Sequence, residues 1–149
     1  MSRNIHASAI VTGETGLLII GPPASGKSHL ARQCLLDARS RGRFAALVSD
    51  DRVIVEEAGQ RLIASSPPEI AGLIEIRGSG IIGVDYMPQA VMHVAIRAVD
   101  AEDSERLPER QFFEPLPGVN LPLLYMVADR MIGPLDLVEA FLDNRLIRS

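Results

Sequence analysis

The sequence is almost without lysine: of its 15 basic residues 14 are arginines, and Lys27 stands alone. There is one cysteine, Cys34, no tryptophan, and aromatic residues make up only 4% of the chain. A single thiol excludes an internal disulfide framework. Cys34 falls on the apolar side of a predicted helix, which marks it as a buried structural thiol. The scarcity of aromatics leaves little from which to build a base-stacking platform. Nineteen acidic residues bring the formal net charge to −4, the wrong sign for non-specific nucleic-acid binding, so no nucleic-acid partner is expected. Long apolar runs are missing too. Residues 16–20, 81–84 and 121–127 fall far short of the ~20 residues a membrane-spanning helix needs, and no membrane partner is expected. Met1-Ser2-Arg3-Asn4-Ile5-His6 carries no signal-peptide core. The expected location is cytoplasmic.

What is present is an ordinary globular composition, 47% hydrophobic and 23% charged over 149 residues, which suits one domain spanning 1–149. The patterning predicts strands over 5–11 and 16–20 joined by a turn at 12–15. A Gly/Pro/Ser-rich loop at 21–26 leads into a helix over 27–41. Its apolar face is Leu30, Ala31, Cys34, Leu35 and Ala38, and Gly42 stops it. A strand at 44–48 ends in Ser49-Asp50-Asp51. Residues 52–55 and 60–64 read as a hairpin around Ala58-Gly59. Further strands are expected at 73–76, 91–99 and 121–125. Residues 101–118 read as a loop, and a last helix starts at Pro134 with Leu135, Val138 and Leu142 on one face. The class is mixed α/β.

Gly21-Pro22-Pro23-Ala24-Ser25-Gly26-Lys27-Ser28 fits G-x-x-x-x-G-K-[ST] in the setting that gives the pattern meaning, a buried strand before it and a helix after it. Glycines let successive N–H groups turn inward toward phosphate oxygens, and the helix start adds its own. Lys27 is placed to reach the β- and γ-phosphates of a nucleotide and Ser28 to offer its hydroxyl to Mg²⁺. Chance produces the pattern in roughly 1% of chains this long. Asp50 and Asp51 follow the next strand. One of them can sit near metal and phosphates while the other faces an incoming hydroxyl as general base; a solvated Asp-Asp turn is the alternative. Glu75 lies in an apolar strand where a carboxylate needs a partner or a metal, and a Glu75–Arg77 surface pair is its plain reading. His29 is expected on the helix surface, His93 in a packing role, and His6 as an ordinary exposed residue.

Together these stretches resemble the catalytic domain of the bacterial HPr serine kinase/phosphorylase family. The resemblance rests on Ile5-His6, the loop from Gly21 to Ser28, Val48-Ser49-Asp50-Asp51 and the stretch from Glu75 to Val84, in that order and spacing. It implies a mixed sheet with a P-loop and flanking helices, phosphoenolpyruvate-carboxykinase-like, and ATP- and Mg²⁺-dependent phosphorylation of a serine on HPr, the phosphocarrier of the sugar phosphotransferase system. It further implies that Asp51 accepts the serine proton and that Lys27 and His6 surround the phosphates. Ser28 and Glu75 would ligate Mg²⁺, and Arg106 would be a downstream catalytic arginine. A homo-oligomer, hexameric in the family, is implied as well. Only the catalytic domain is matched, as in short members. Pro22-Pro23-Ala24 replaces the middle of the family's loop. The family's Arg-rich segment tied to phosphorolysis has no counterpart, since Leu121-Pro122-Leu123-Leu124-Tyr125 supplies no arginine, and little reverse reaction is expected. Two other readings stay open: a P-loop kinase of a small metabolite, and an ATP-sensing module that transfers nothing.

Overall fold

In the computed structural model the described residues are 1–100, 111–127 and 133–146. The chain runs β1 (Ser2–Thr12), β2 (Thr15–Ile20), α1 (Lys27–Ser40), β3 (Ala45–Ser49), β4 (Arg52–Ala58), β5 (Arg61–Ser65), a 3-10 turn (Pro68–Ile70), β6 (Leu73–Ile76) and β7 (Gly80–Gly83). It continues through β8 (Gln89–Met92), β9 (Val94–Val99), β10 (Gln111–Leu116), β11 (Val119–Val127) and α2 (Pro134–Leu142). One large sheet takes the order β10-β11-β9-β2-β1-β4-β5-β8, with β3 also paired to β1. The pairs β2–β9 and β9–β11 are parallel and the others antiparallel. Strands β6 and β7 form a separate hairpin. The expected mixed sheet with flanking helices is present.

Strand β2 is apolar at every position from Leu17 to Ile20 because both of its faces are covered. Ile10, Leu17, Ile19 and Ile96 pack with Leu30, Ala31, Cys34 and Leu35 of α1 and with Leu135 and Val138 of α2. The opposite face, Ala9, Leu18, Ile20 and Ala95, meets Val53, Val55, Leu62, Met92 and Leu121. This second layer exists because the sheet curls over itself. At Gly16 the approach is so close that a Cβ would lie 1.9 Å from the Val91 carbonyl oxygen. Only glycine fits there.

Three expectations are corrected. The stretch 91–99 is not one strand: it breaks at His93, where β8 leaves β5 and β9 joins β2. His93 holds the break, its N–H donating to the Gly16 carbonyl at 2.8 Å while its Nδ1 accepts the Gly16 N–H at 2.9 Å. Its role is structural, as expected, but it rests on these two hydrogen bonds and not on packing, since His93 is exposed. Within the predicted loop 101–118, residues Gln111–Leu116 form the edge strand β10. Leu142 is 42% exposed, so the buried face of α2 is Leu135 and Val138 without it. Helix α2 is fastened to α1 by Asp37, whose Oδ2 accepts the Leu135 N–H at 3.0 Å and whose Oδ1 pairs with Arg41 at 3.0 Å. Arg41 reaches on to Asp136 at 2.9 Å.

Cys34 is fully buried in the α1 core. Burial, helped by the nearby Asp37 charge, pushes its thiol up to about 12. The thiolate is the reactive form, and at pH 8 it would be only about 10⁻⁴ of the population. Native protein should therefore resist iodoacetamide at pH 8 and label fully in denaturant, as counted by mass spectrometry. Rapid labelling of the folded chain would contradict the packing described.

Candidate active site

The loop at 21–26 leaves the C-terminal end of β2 and turns straight into α1. Gly21, Ala24 and Gly26 all have positive φ, at 151°, 63° and 93°. A Cβ on Gly21 would stand 2.6 Å from Ser25 Oγ, so the loop closes on itself only with glycine there. Ser25 Oγ is buried with no hydrogen-bond partner. No side chain caps α1 at Gly26, and the N–H groups of its first turn have no partner within the helix. An orphaned hydroxyl, an uncapped helix start and a glycine-closed loop suit an anion.

Lys27 is buried, with 4% exposure. Its Nζ donates to the Pro22 carbonyl at 3.1 Å and lies 3.9 Å from Asp51 Oδ1. The two neighbouring aspartates part company here. Asp50 is buried and collects three donors: Ser28 Oγ at 2.7 Å and Ser8 Oγ at 2.9 Å on Oδ1, and the Glu75 N–H at 3.1 Å on Oδ2. The Asp51 side chain is 61% exposed. The reason is a backbone turn rather than the alternation of an extended strand. Asp51 takes a left-handed φ of 66°, which Asp tolerates better than most residues. Its N–H donates to Ser8 Oγ at 3.1 Å, and its carbonyl accepts the Ala7 N–H at 3.2 Å. Ser8 is thus a pivot, donating to Asp50 and accepting from Asp51.

An open cleft of about 450 Å³ lies over the helix start, with Lys27, Ser28, Arg32, Asp51, Glu75 and Arg77 on its walls. Pro23, Ala24 and Gly26 also line it, while Gly21, Pro22 and Ser25 build the loop beneath. Asp50 sits behind Ser28. Glu75 and Arg77 share the cleft but form no ion pair with each other. His6 is exposed on β1 opposite Arg52 and is not among the cleft-lining residues. Arg106 lies outside the described residues. No expectation attaches to Ser8 or Arg32 from sequence, and Arg77 is expected only as a surface partner to Glu75. Ser8 had a signal, a hydroxyl inside the apolar run Ala7-Ser8-Ala9-Ile10-Val11. Arg32 had one too, since positions 28 and 32 share a helix face.

For Mg²⁺ the donor chemistry is suitable: the Ser28 hydroxyl and the Asp50 and Glu75 carboxylates are the hard oxygens that ion prefers. Among the described residues no cluster of three His, Cys, Asp or Glu could hold a metal alone, so a cation here would share its shell with water or ligand oxygens, the usual habit of Mg²⁺. No helix among the described residues is long and apolar enough to cross a membrane.

Fold and site together define a mixed α/β protein with an anion-suited cleft at the start of its first helix. The chain belongs to the HPr serine kinase C-terminal domain family, whose model matches residues 1–126. It is similar to the HPr kinase/phosphorylase of Clostridium beijerinckii, with 31% identity over 130 residues, covering 80% of this chain and 41% of that one. Against the HPr kinase/phosphorylase of Clostridium botulinum it is 38% identical over 83 residues, 56% of this chain. The match spans only 25% of the length of that relative. Among solved structures, the Hpr(Ser) kinase/phosphatase from Coxiella burnetii superimposes with a TM-score of 0.70 at 28% identity, covering 95% of this chain and 94% of that one.

Proposed function

We propose that this domain is an ATP-dependent protein-serine kinase acting on HPr, built on a P-loop in a phosphoenolpyruvate-carboxykinase-like sheet. The observation that carries the reading is the pairing of Ser28 with buried Asp50 at 2.7 Å and of Lys27 with exposed Asp51 at 3.9 Å over one cleft. It is supported by the family membership and by the names of the similar proteins.

In this reading residues 21–28 cradle the phosphates of ATP, and Lys27 exchanges its contacts to Pro22 and Asp51 for phosphate oxygens. Ser28 and Glu75, with Asp50 holding the Ser28 hydroxyl in place, would bind Mg²⁺, which supplies charge neutralisation at the transferred phosphoryl group. Asp51 is freed as Lys27 turns to phosphate. It takes the proton of the acceptor serine as the new oxygen–phosphorus bond forms and the bond to the ADP oxygen breaks. An exposed carboxylate at the mouth of an open cleft suits a protein acceptor better than a small metabolite, which favours HPr over the metabolite-kinase alternative. His6, one residue from the Ala7 amide that anchors the Asp51 turn, and Arg106 complete the proposed set. Assembly into a homo-oligomer fits the exposed Ile81 and Ile82 of the β6–β7 hairpin, at 67% and 43%. Phosphorolysis is expected to be weak for want of arginine in 121–125.

The test is incubation with ATP, Mg²⁺ and purified HPr, followed by mass spectrometry of the HPr peptides. A phosphoserine on HPr is expected. Tight ATP binding without transfer to HPr would leave the sensing module in its place.

A further inference from the structure

Arg32 is not needed by the phosphate-loop pattern and has no role in the proposed chemistry, yet it lines the same cleft as Lys27, Ser28, Asp51 and Glu75. It is half-buried on α1. Near the end of this helix Arg41 pairs with Asp37 and Asp136, and Arg43 with Glu139, while Arg39 is exposed to solvent. Arg32 makes no ion pair or hydrogen bond with any described residue. A guanidinium carries five donors, and here none of them is buried without a partner: they face the open cleft, where a ligand can take them up in place of water.

Charge in the cleft points to what that ligand is. Apart from His29, the charged side chains on its walls are Lys27, Arg32 and Arg77 against Asp51 and Glu75. Without the two arginines a single protein cation would face two carboxylates, and only a Mg²⁺ ion would be left to offset the charge of a polyphosphate. The lone lysine of the chain cannot correct this.

Position narrows the assignment further. Arg32 follows Ser28 by one turn on the same helix face, about 6 Å along the axis. Phosphate loops seat the γ end of a nucleotide at the lysine, while the α- and β-phosphates lie against the loop amides and the helix start. We infer that Arg32 is a further nucleotide-binding residue, extending the cradle by one helical turn to the α/β-phosphate side. The inference rests on the nucleotide reading above, and it makes Arg32 a determinant of affinity for ATP and ADP alike.

The experiment compares Mg-ATP and Mg-ADP dissociation constants, by calorimetry on the full chain, for wild type, Arg32→Gln, Arg32→Lys and Arg39→Gln, with thermal midpoints measured in parallel. Arg39 is exposed on the same helix, does not line the cleft, and controls for loss of one positive charge. Arg32→Gln should weaken both nucleotides by about 10–100-fold, the effect of losing charge-assisted hydrogen bonds. Arg32→Lys, which keeps charge but loses the planar fork, should fall in between. Arg39→Gln should stay within about twofold, as an exposed charge does. Arg32→Gln within twofold of wild type, or Arg39→Gln losing as much as Arg32→Gln, overturns the inference. Should Arg32→Gln fail to fold, Arg32→Lys carries the test: weaker binding of both nucleotides supports the inference, and unchanged binding overturns it. Failure of the nucleotide reading is recognised separately, because wild type itself would then bind neither ATP nor ADP.

Discussion

Lys27→Ala is expected to abolish phosphate transfer, with a loss of about 10²–10³-fold or more, the scale seen when one preorganised donor to a developing negative charge is removed. The chain holds no second lysine, so no neighbouring ammonium can stand in. The substitution also leaves Asp51 and Glu75 facing the phosphates with less positive charge to offset them. Lys27 is 4% exposed, so alanine removes packing as well as charge, and Lys27→Met separates the two by restoring the aliphatic stem. Both variants should bind ATP far more weakly than wild type, and Lys27→Met should do so with a near-native thermal midpoint. If Lys27→Met keeps wild-type ATP affinity and transfer rate, the loop at 21–28 is not where the nucleotide sits.

How much of this was legible in the sequence depended on how local the cause was. The run Gly16–Ile20, the loop and the face Leu30, Ala31, Cys34, Leu35 and Ala38 were readable because a switch from strand to helix spacing and a glycine-lysine pattern occur within one stretch of chain. Strand β10 was hidden. Gln111-Phe112-Phe113-Glu114-Pro115-Leu116 contains a proline and exposes Phe112 at 66%, which an edge strand tolerates but a pattern search reads as loop. The break at His93 was hidden for a different reason. The stretch 91–99 stays rich in strand-forming apolar residues throughout, and what divides it is the identity of the partners, β5 on one side of the break and β2 on the other. The surroundings of Asp50 are the deepest case. Besides Ser28, 22 residues earlier, its donors come from Ser8, 42 residues earlier, and from the Glu75 backbone, 25 residues later. No spacing rule reaches that far. The pairing of β1 with β3 and the packing of β6 beside α1 bring them together.

The same surroundings predict opposite phenotypes for the two adjacent aspartates. Asp51→Asn keeps size and polarity but cannot accept the acceptor proton. Transfer to HPr should fall by about 10²–10⁴-fold, the usual worth of a positioned base, while ATP affinity holds. Because Asp51 is 61% exposed, stability should move by no more than about 0.5 kcal/mol. Asp50→Asn meets three donors with one acceptor oxygen. The Glu75 N–H is fixed in the backbone and claims that oxygen, which turns the amide NH₂ toward the Ser8 and Ser28 hydroxyls. Ser8 already accepts the Asp51 N–H, so it is poorly placed to accept again. Asp50→Asn should therefore cost about 1–3 kcal/mol of stability, and it should shift the Mg²⁺ dependence as Ser28 loses its anchor. Thermal unfolding, a Mg²⁺ titration and single-turnover transfer on both variants separate these outcomes. Should Asp51→Asn transfer phosphate at the wild-type rate, the base lies elsewhere, and Asp50, released from its three donors by a rearrangement on substrate binding, becomes the first residue to test.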